Sequence, residues 1–507
     1  MRKWLPLITV CLGTFMLLVD VTIVNVALPD MATDLKTTFG SLQWVVDAYA
    51  LVLAALVLGT GSIADLVGHR RAYAAGLALF AVASFVCGIA PNSSALVAAR
   101  AVQGLGGAAM FATTFALLNS SYTGRDRGTA YGMWGAVAGA SAAVGPIVGG
   151  LLTQGISWRW IFFVNLPVSV IAIVLTLRVL HDNHEPVKAR VDVFGIVTFT
   201  GAAGCAAYAL IKANEDGWAG VASWGTLLAA AVLLAAFIVI EKRIAQPMLD
   251  LALMRNRSFV GILIAATLLS FAAFSAFTYT SIWLQSVLGL SPIQAGLTGL
   301  PLSAMAFVTS AAIGRFLHNR NPGPIIGGGV LLIGIGGVLG ALLVHGDARW
   351  PQLIPGFLAA GIGVGLATPT LSSAAMAAVP IQRGGMAAGA VNTGRQLGFA
   401  FGIAVLGSVF SLRAQSVLRD RGVGHAATVA KEVAGGQARA LLAHAPAGAR
   451  AQLDSALHAS AVAGVQWSFL VAGLVGIAAG IAVLVLVRPA GSAAAQPSTE
   501  QAVAAAR

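Results

Sequence analysis

The run Gly132–Leu152 reads GMWGAVAGASAAVGPIVGGLL, with glycines at Gly132, Gly135, Gly139, Gly145, Gly149 and Gly150, one proline at Pro146 and no charge. Its length and polarity predict a membrane helix, since about 20 apolar residues cross a hydrocarbon layer of about 30 Å. Bare glycine edges let another helix backbone approach closely, while Pro146 removes a backbone donor and bends the rod. The segment therefore reads as a pliable packing surface. The blander alternative is that Gly and Pro are simply commoner in membrane helices than in soluble ones.

The rest of the chain shares this character. Of 507 residues 58% are apolar and only 9% charged, with a mean hydropathy of +0.86, which excludes a string of soluble domains. About fourteen runs are long enough to span a bilayer, too long and too uniformly apolar for barrel strands, so an all-α integral membrane protein is expected. Among these runs the fifth covers 129 to 152 and the tenth 293 to 314. Net charge is +12, yet the basic residues stand as ones and twos between apolar runs, so no nucleic-acid partner is expected. With the N-terminus inside, the short inner loops hold about 17 Lys and Arg and the outer ones about four, which predicts a multi-pass cell-membrane protein with both termini cytoplasmic. Cys11, Cys87 and Cys205 all fall in apolar runs and imply neither a disulfide nor a metal framework. The start, MRK before an apolar run, mimics a signal peptide, but Asp20 interrupts the run and thirteen more follow, so it reads as a retained first helix.

Gly128-x-Ala130-x-Gly132 recurs as Gly385-x-Ala387-x-Gly389, and Gly104-x-Gly106 as Gly361-x-Gly363, both 257 residues on. Equal offsets imply a duplicated six-helix unit, although chance is an alternative where glycine is so abundant. The domains expected are a first half at 1–185, two inserted membrane helices with linkers at 186–257, and a second half at 258–488, followed by a disordered cytoplasmic tail at 489–507. Within the second half, the alanine-rich stretch 412–462 is expected as an extracellular loop of short amphipathic helices at the outer surface. Duplicated halves are the usual plan of secondary transporters, with substrate bound near the midplane between them.

Few side chains in the membrane carry chemistry. Asp20 lies well over a turn inside the first run, where a carboxylate costs roughly 2.5 to 3.5 kcal/mol, so it must face a cavity or a partner. Its alternative is a structural role, bonded to a hydroxyl such as Thr22. Asp47 sits one turn inside the second run and is equally an interfacial residue beside Trp44 and Tyr49. Arg100, in LVAARAVQGLGGAAM, stays charged and requires an acidic or carbonyl partner, with Asp20 or Asp47 the candidates. Arg395 is the one charge placed in the membrane runs of the second half, where function and satisfaction by helix packing stand as equal alternatives. No G-x4-G-K-[ST] sequence occurs, so no bound ATP is expected, and no H-E-x-x-H or paired-Cys motif points to a membrane enzyme.

Taken in order, these stretches resemble the fourteen-span drug:proton antiporters of the major facilitator superfamily. Gly132, Gly145, Pro146, Gly149 and Gly150 match that family's antiporter motif, with Ser141 in place of its second glycine. Leu18, Asp20, Thr22, Asn25, Ala27, Leu28 and Pro29 are similar to its first-helix motif, and Leu96, Arg100, Gln103, Gly104, Gly106 and Ala108 to its fourth-helix motif. Gly61, Ala64, Asp65, Gly68 and Arg70 resemble the cytoplasmic-loop motif, with Leu66 and His69 where basic residues are usual. Further matches are Trp158, Arg159, Trp160, Phe162, Asn165 and Pro167, then Pro247, Leu249 and Asp250, and Arg395, Gln396, Leu397 and Gly398.

The resemblance implies two six-helix halves plus two inserted helices. It also implies proton-coupled export of small, amphipathic, often cationic drugs or antibiotics, driven by the proton gradient without a cofactor, by a monomer. By the same resemblance Asp20 takes part in proton coupling or cation recognition, Arg100 in proton transfer, and Asp65 with Arg70 in a charge latch at the inner gate. The rival expectations are uptake of a small metabolite with protons and, more distantly, a membrane enzyme or scaffold.

Overall fold

The computed structural model describes residues 2–37, 39–181, 191–216, 220–244, 247–316, 321–379 and 383–487. Most of the 181–192 linker and the tail expected from 489 lie outside the described residues. Every regular element among the described residues is helical. The first half comprises α1 (Leu5–Asp34), α2 (Phe39–Val67), α3 (His69–Gly88), α4 (Ser93–Ser121), α5 (Gly124–Gly155), α6 (Trp160–Phe163) and α7 (Asn165–Val179). Then come α8 (Val193–Asp216) and α9 (Val221–Glu241), an antiparallel pair whose first member lies against α2. The second half runs through α10 (Arg257–Ala273), α11 (Ser275–Ile282), α12 (Pro292–Thr298), α13 (Leu300–Phe316), α14 (Pro322–Leu343), α15 (Ile354–Ala377), α16 (Gly384–Asp420), α17 (Ala426–Ala434), α18 (Ala438–His444) and α19 (Arg450–Leu486). The end of the bundle bearing the N-terminus and the α2–α3 turn is termed the inner end, after its basic residues.

Twelve helices among the described residues are long and apolar enough to cross a membrane, thirteen if the bent α5 counts as one span, against the fourteen expected. The missing span is the tenth run. Gly299 and Pro301 split it into α12 and α13, leaving Leu300–Ile313 as a shorter apolar helix. In α5 the bend is 41°, between Gly124–Ser141 and Val144–Gly155. Pro146 has no N–H to offer the carbonyl of residue 142 and its ring crowds that carbonyl, so the axis turns one helical turn before the proline.

Glycine contacts repeat between the halves. A Cβ on Gly104 would meet the Tyr49 carbonyl at 2.6 Å, and one on Gly361 the Leu302 carbonyl at 2.4 Å. Likewise Gly106 abuts Phe80 and Gly76, and Gly363 abuts Ile333 and Gly329. The partners in these pairs are all 253 residues apart. Thus the α2–α4 and α3–α4 crossings of the first half recur as α13–α15 and α14–α15 in the second. Between the halves, α2 packs on α16 and α5 packs on α13. Beyond the membrane runs, α16 continues to Asp420 and α19 begins at Arg450, with α17 and α18 packed between them through Ala430, Val433 and Ala438.

Candidate functional site

Asp20 is fully buried on α1, and Arg100, fully buried on α4, donates to its Oδ2 through Nη1 at 2.5 Å. The other carboxylate oxygen accepts from Gln103 Nε2 at 3.1 Å and from Asn165 Nδ2 at 3.0 Å. Arg100 also donates through Nε to the Val45 carbonyl at 3.0 Å and through Nη1 to Gln103 Oε1 at 2.7 Å. Its guanidinium lies over the Tyr49 ring, 4.2 Å from the centroid. Behind Asn165, Ser84 Oγ accepts from Nδ2 at 3.1 Å and donates to the Phe162 carbonyl at 2.9 Å. One network therefore ties α1, α2, α3, α4, α6 and α7 to a single carboxylate.

Of the two candidates for Arg100, Asp20 is its ionic partner and Asp47 takes no part in its hydrogen bonds. Asp47 stays near the outer end of α2, partly exposed, one turn from Trp44, whose ring packs on Tyr208 of α8. The alternative of a Thr22 bond to Asp20 is not what forms, since Thr22 Oγ1 donates to its own helix at Val19 (3.1 Å) and Leu18 (3.4 Å). Gln103, named above only as a motif match, lies one turn after Arg100 on the same face of α4, a spacing that also points to it. Asn165 was likewise a motif match, but its contact with Asp20 had no spacing signal, since it is brought from 145 residues away.

At the inner end Asp65 spans the two halves. Its Oδ1 accepts from the Gly385 N–H at 2.7 Å and its Oδ2 from the Met386 N–H at 2.8 Å. These are among the first N–H groups of α16, which have no partner inside the helix and carry its positive dipole end. A Cβ on Gly61 would sit 2.4 Å from the Gly385 carbonyl, so a residue with no side chain lets the backbones meet here. Gly68 makes the α2–α3 turn at φ 98°. Asp65, expected with Arg70 in a charge latch, thus meets backbone N–H groups of the other half. His69 Nε2 stands 3.4 Å from Asp65, while Arg70 donates to the Leu177 carbonyl and holds α3 to α7. A third inter-half bond, Asn392 Nδ2 to the Phe111 carbonyl at 3.2 Å, lies deeper along α16. The Arg383–Asp250 pair, at 2.7 Å, ties the start of α16 to the segment before α10.

The antiporter-motif helix faces both ways. A Cβ on Gly145 would fall 1.8 Å from Thr22 Oγ1, and one on Gly149 2.9 Å from Ile23, so this edge of α5 lies on α1 just past Asp20. On the other side Gly135 meets Ser310, Gly139 meets Ala306, Pro146 meets Gly296 and Gly150 meets Ile293, all on α12 and α13. Gly132 is buried nearer the inner end. Outside the spans, Asp34 accepts from Trp158 Nε1 at 3.0 Å and from Arg159. The Arg159 bond, then that of Trp158, holds the Asp34 carboxyl below the usual carboxylate range. Arg395 takes no part in any of these groups.

Two repeated helical halves, a buried ion pair in one and, at one end, a carboxylate of one half on a helix N-terminus of the other, match the plan of a membrane transporter. The family model described as Major Facilitator Superfamily matches residues 10–403. The chain belongs to that superfamily and is a transporter, not an enzyme. It is 36% identical over 411 residues to the multidrug resistance protein Stp of Mycobacterium tuberculosis, covering 80% of this chain and 76% of that one. To the tetracenomycin C resistance and export protein of Streptomyces glaucescens it is 32% identical over 491 residues, with 94% and 90% covered. To the puromycin resistance protein pur8 of Streptomyces alboniger it is 34% identical over 435 residues, with 84% and 86% covered. In fold it is similar to the human organic anion transporter MFSD10, with a TM-score of 0.64, 14% identity, and 95% and 99% of the two chains covered.

Proposed function

We propose that this protein is a multi-pass exporter of the cell membrane that expels small amphipathic drugs or antibiotics in exchange for protons by alternating access, with both termini cytoplasmic. The resistance and export roles in the relatives' names support the substrate class and the direction. The observation that carries proton coupling is the Asp20 network. As a carboxylate, Asp20 holds three donors from α4 and α7. Once protonated it no longer matches the Arg100 charge, and the α1–α4 link weakens. Two residues on, Thr22 and Ile23 seat α5, and the opposite face of α5 carries α12 and α13. A change at Asp20 is thereby transmitted to the contact between the halves. The inner end is closed in this state by Asp65 on the α16 N-terminus.

Asp47 stands as the secondary carboxylate and Arg100 as the residue that tunes Asp20. Energy comes from the proton gradient, not from ATP. Exchange of one proton for a monovalent cation leaves only the pH gradient as driver, whereas export of a neutral compound also uses about 2.3 kcal/mol per 100 mV. The test is purified protein in liposomes carrying a pH gradient, with puromycin as the probe. Uphill movement that collapses with a protonophore is expected, and movement indifferent to the protonophore would refute proton coupling.

A further inference from the structure

Arg395 stands about 16 Å along α16 from its inner end, near the middle of a membrane about 30 Å thick. At 100° per residue it lies about 60° around the helix from Asn392, which reaches Phe111 of α4, and about 20° from Gly402, which abuts Phe271 and Ser275. Its side chain therefore occupies the sector between α4 of the first half and α10–α11 of the second. The residue keeps partial accessibility, so it borders a space rather than solid packing. Nη1 is nonetheless buried, and Arg395 has no hydrogen bond, ion pair or ring contact among the described residues. Close by, Asn392 Oδ1 is also buried without a partner. Among the described residues no carboxylate pairs with it, and from Arg257 to Phe410 the only acidic residue is Asp347, in the loop after α14. Across the interface, the Asp20 charge is already matched by Arg100. A guanidinium is charged at any accessible pH, and buried donors of this kind are satisfied by something.

We propose that Arg395 anchors an acidic group of the exported compound, a carboxylate or an acidic phenolate, with the Asn392 amide beside it. The planar fork of arginine suits a carboxylate in two-point contact. An unmatched positive charge at mid-membrane favours compounds that carry an acidic group, anionic or zwitterionic, alongside the cationic substrates that the family resemblance implies. The inference deepens the efflux reading and rests on it.

The experiment measures binding to the purified full chain in detergent. Its probes are a fluorescent rhodamine carrying a free carboxylate and the ethyl ester of the same dye. The acid should bind roughly tenfold tighter than the ester or better, the worth of one hydrogen bond to a charged group. Arg395→Gln should remove that preference and Arg395→Lys should keep part of it. Because the change deletes an unpaired buried charge, Arg395→Gln should unfold at the parental temperature or above. Equal binding of acid and ester by the parental protein, binding of neither, or an unchanged preference in Arg395→Gln would each overturn the inference. So would a marked drop in unfolding temperature, which would mean that the guanidinium holds the fold. Preferential binding of the acid without pH-driven export would instead fault the efflux reading and leave the Arg395 assignment standing.

Discussion

Replacing Gly145 by alanine puts a methyl group where α1 already is. The new Cβ would lie 1.8 Å from Thr22 Oγ1, 2.8 Å from Thr22 Cβ and 3.3 Å from the Ile23 nitrogen. The hydroxyl can turn away only by giving up its bond to the Val19 carbonyl, at about 1 kcal/mol. The Thr22 Cβ cannot turn away, so α1 and α5 must separate by a few tenths of an ångström. Overpacking of this kind costs about 1 to 3 kcal/mol. Gly145→Ala should therefore lower the unfolding temperature in detergent and raise the passive proton leak of liposomes. Thr22→Ala in the same chain removes the 1.8 Å contact but not the 2.8 Å one, so it should restore part of the loss, with a coupling of about 1 kcal/mol. Parental stability in Gly145→Ala, or strictly additive effects in the double variant, would refute this account of the α1–α5 contact.

Three further outcomes are expected. Asp65→Asn removes a carboxylate from the α16 N-terminus, worth about 0.3 to 2 kcal/mol; amide hydrogen exchange over 384–388 should quicken, and unchanged protection would contradict the latch. Since the Asp34 carboxyl is held below its ordinary range, its contribution is complete above about pH 4 and is lost as pH falls through the depressed value. The bonds from Arg159 and Trp158 to Asp34 should thus loosen only in acid, and Asp34→Asn should flatten that limb of a stability–pH curve. A cysteine at exposed Thr428, between the long α16 and α19 helices, should react with an impermeant label in intact cells; labelling only after permeabilisation would reverse the orientation.

Much of this was legible in the residues, and the remainder for identifiable reasons was not. Gly104 and Gly361 could be paired from a shared offset because each lies where two backbones touch and no side chain fits. Asp20 and Arg100 stood out because a charge in an apolar run demands a partner, and few were available. Residue types do not reveal a backbone donor, so Asp65 pointed to basic side chains and not to the Gly385 and Met386 N–H groups that donate to it beside His69. Asn165 was visible as a motif match, but nothing in its residue type pointed to Asp20 until the fold set the two side by side. The split at Gly299 escaped a hydropathy reading, because glycine and proline barely change the average over a run that remains apolar.

The central claim, that Asp20 is the group whose proton drives export, is tested most directly by Asp20→Asn in reconstituted liposomes. Two fluxes of puromycin are measured at equal protein: exchange at equilibrium, which needs no proton, and uphill movement on a pH gradient. Asparagine keeps the shape but cannot release a proton or hold the Arg100 charge. Asp20→Asn should retain exchange and lose uphill movement, while Asp20→Glu keeps part of both. Uphill movement at the parental rate in Asp20→Asn would contradict the account and pass the coupling role to Asp47.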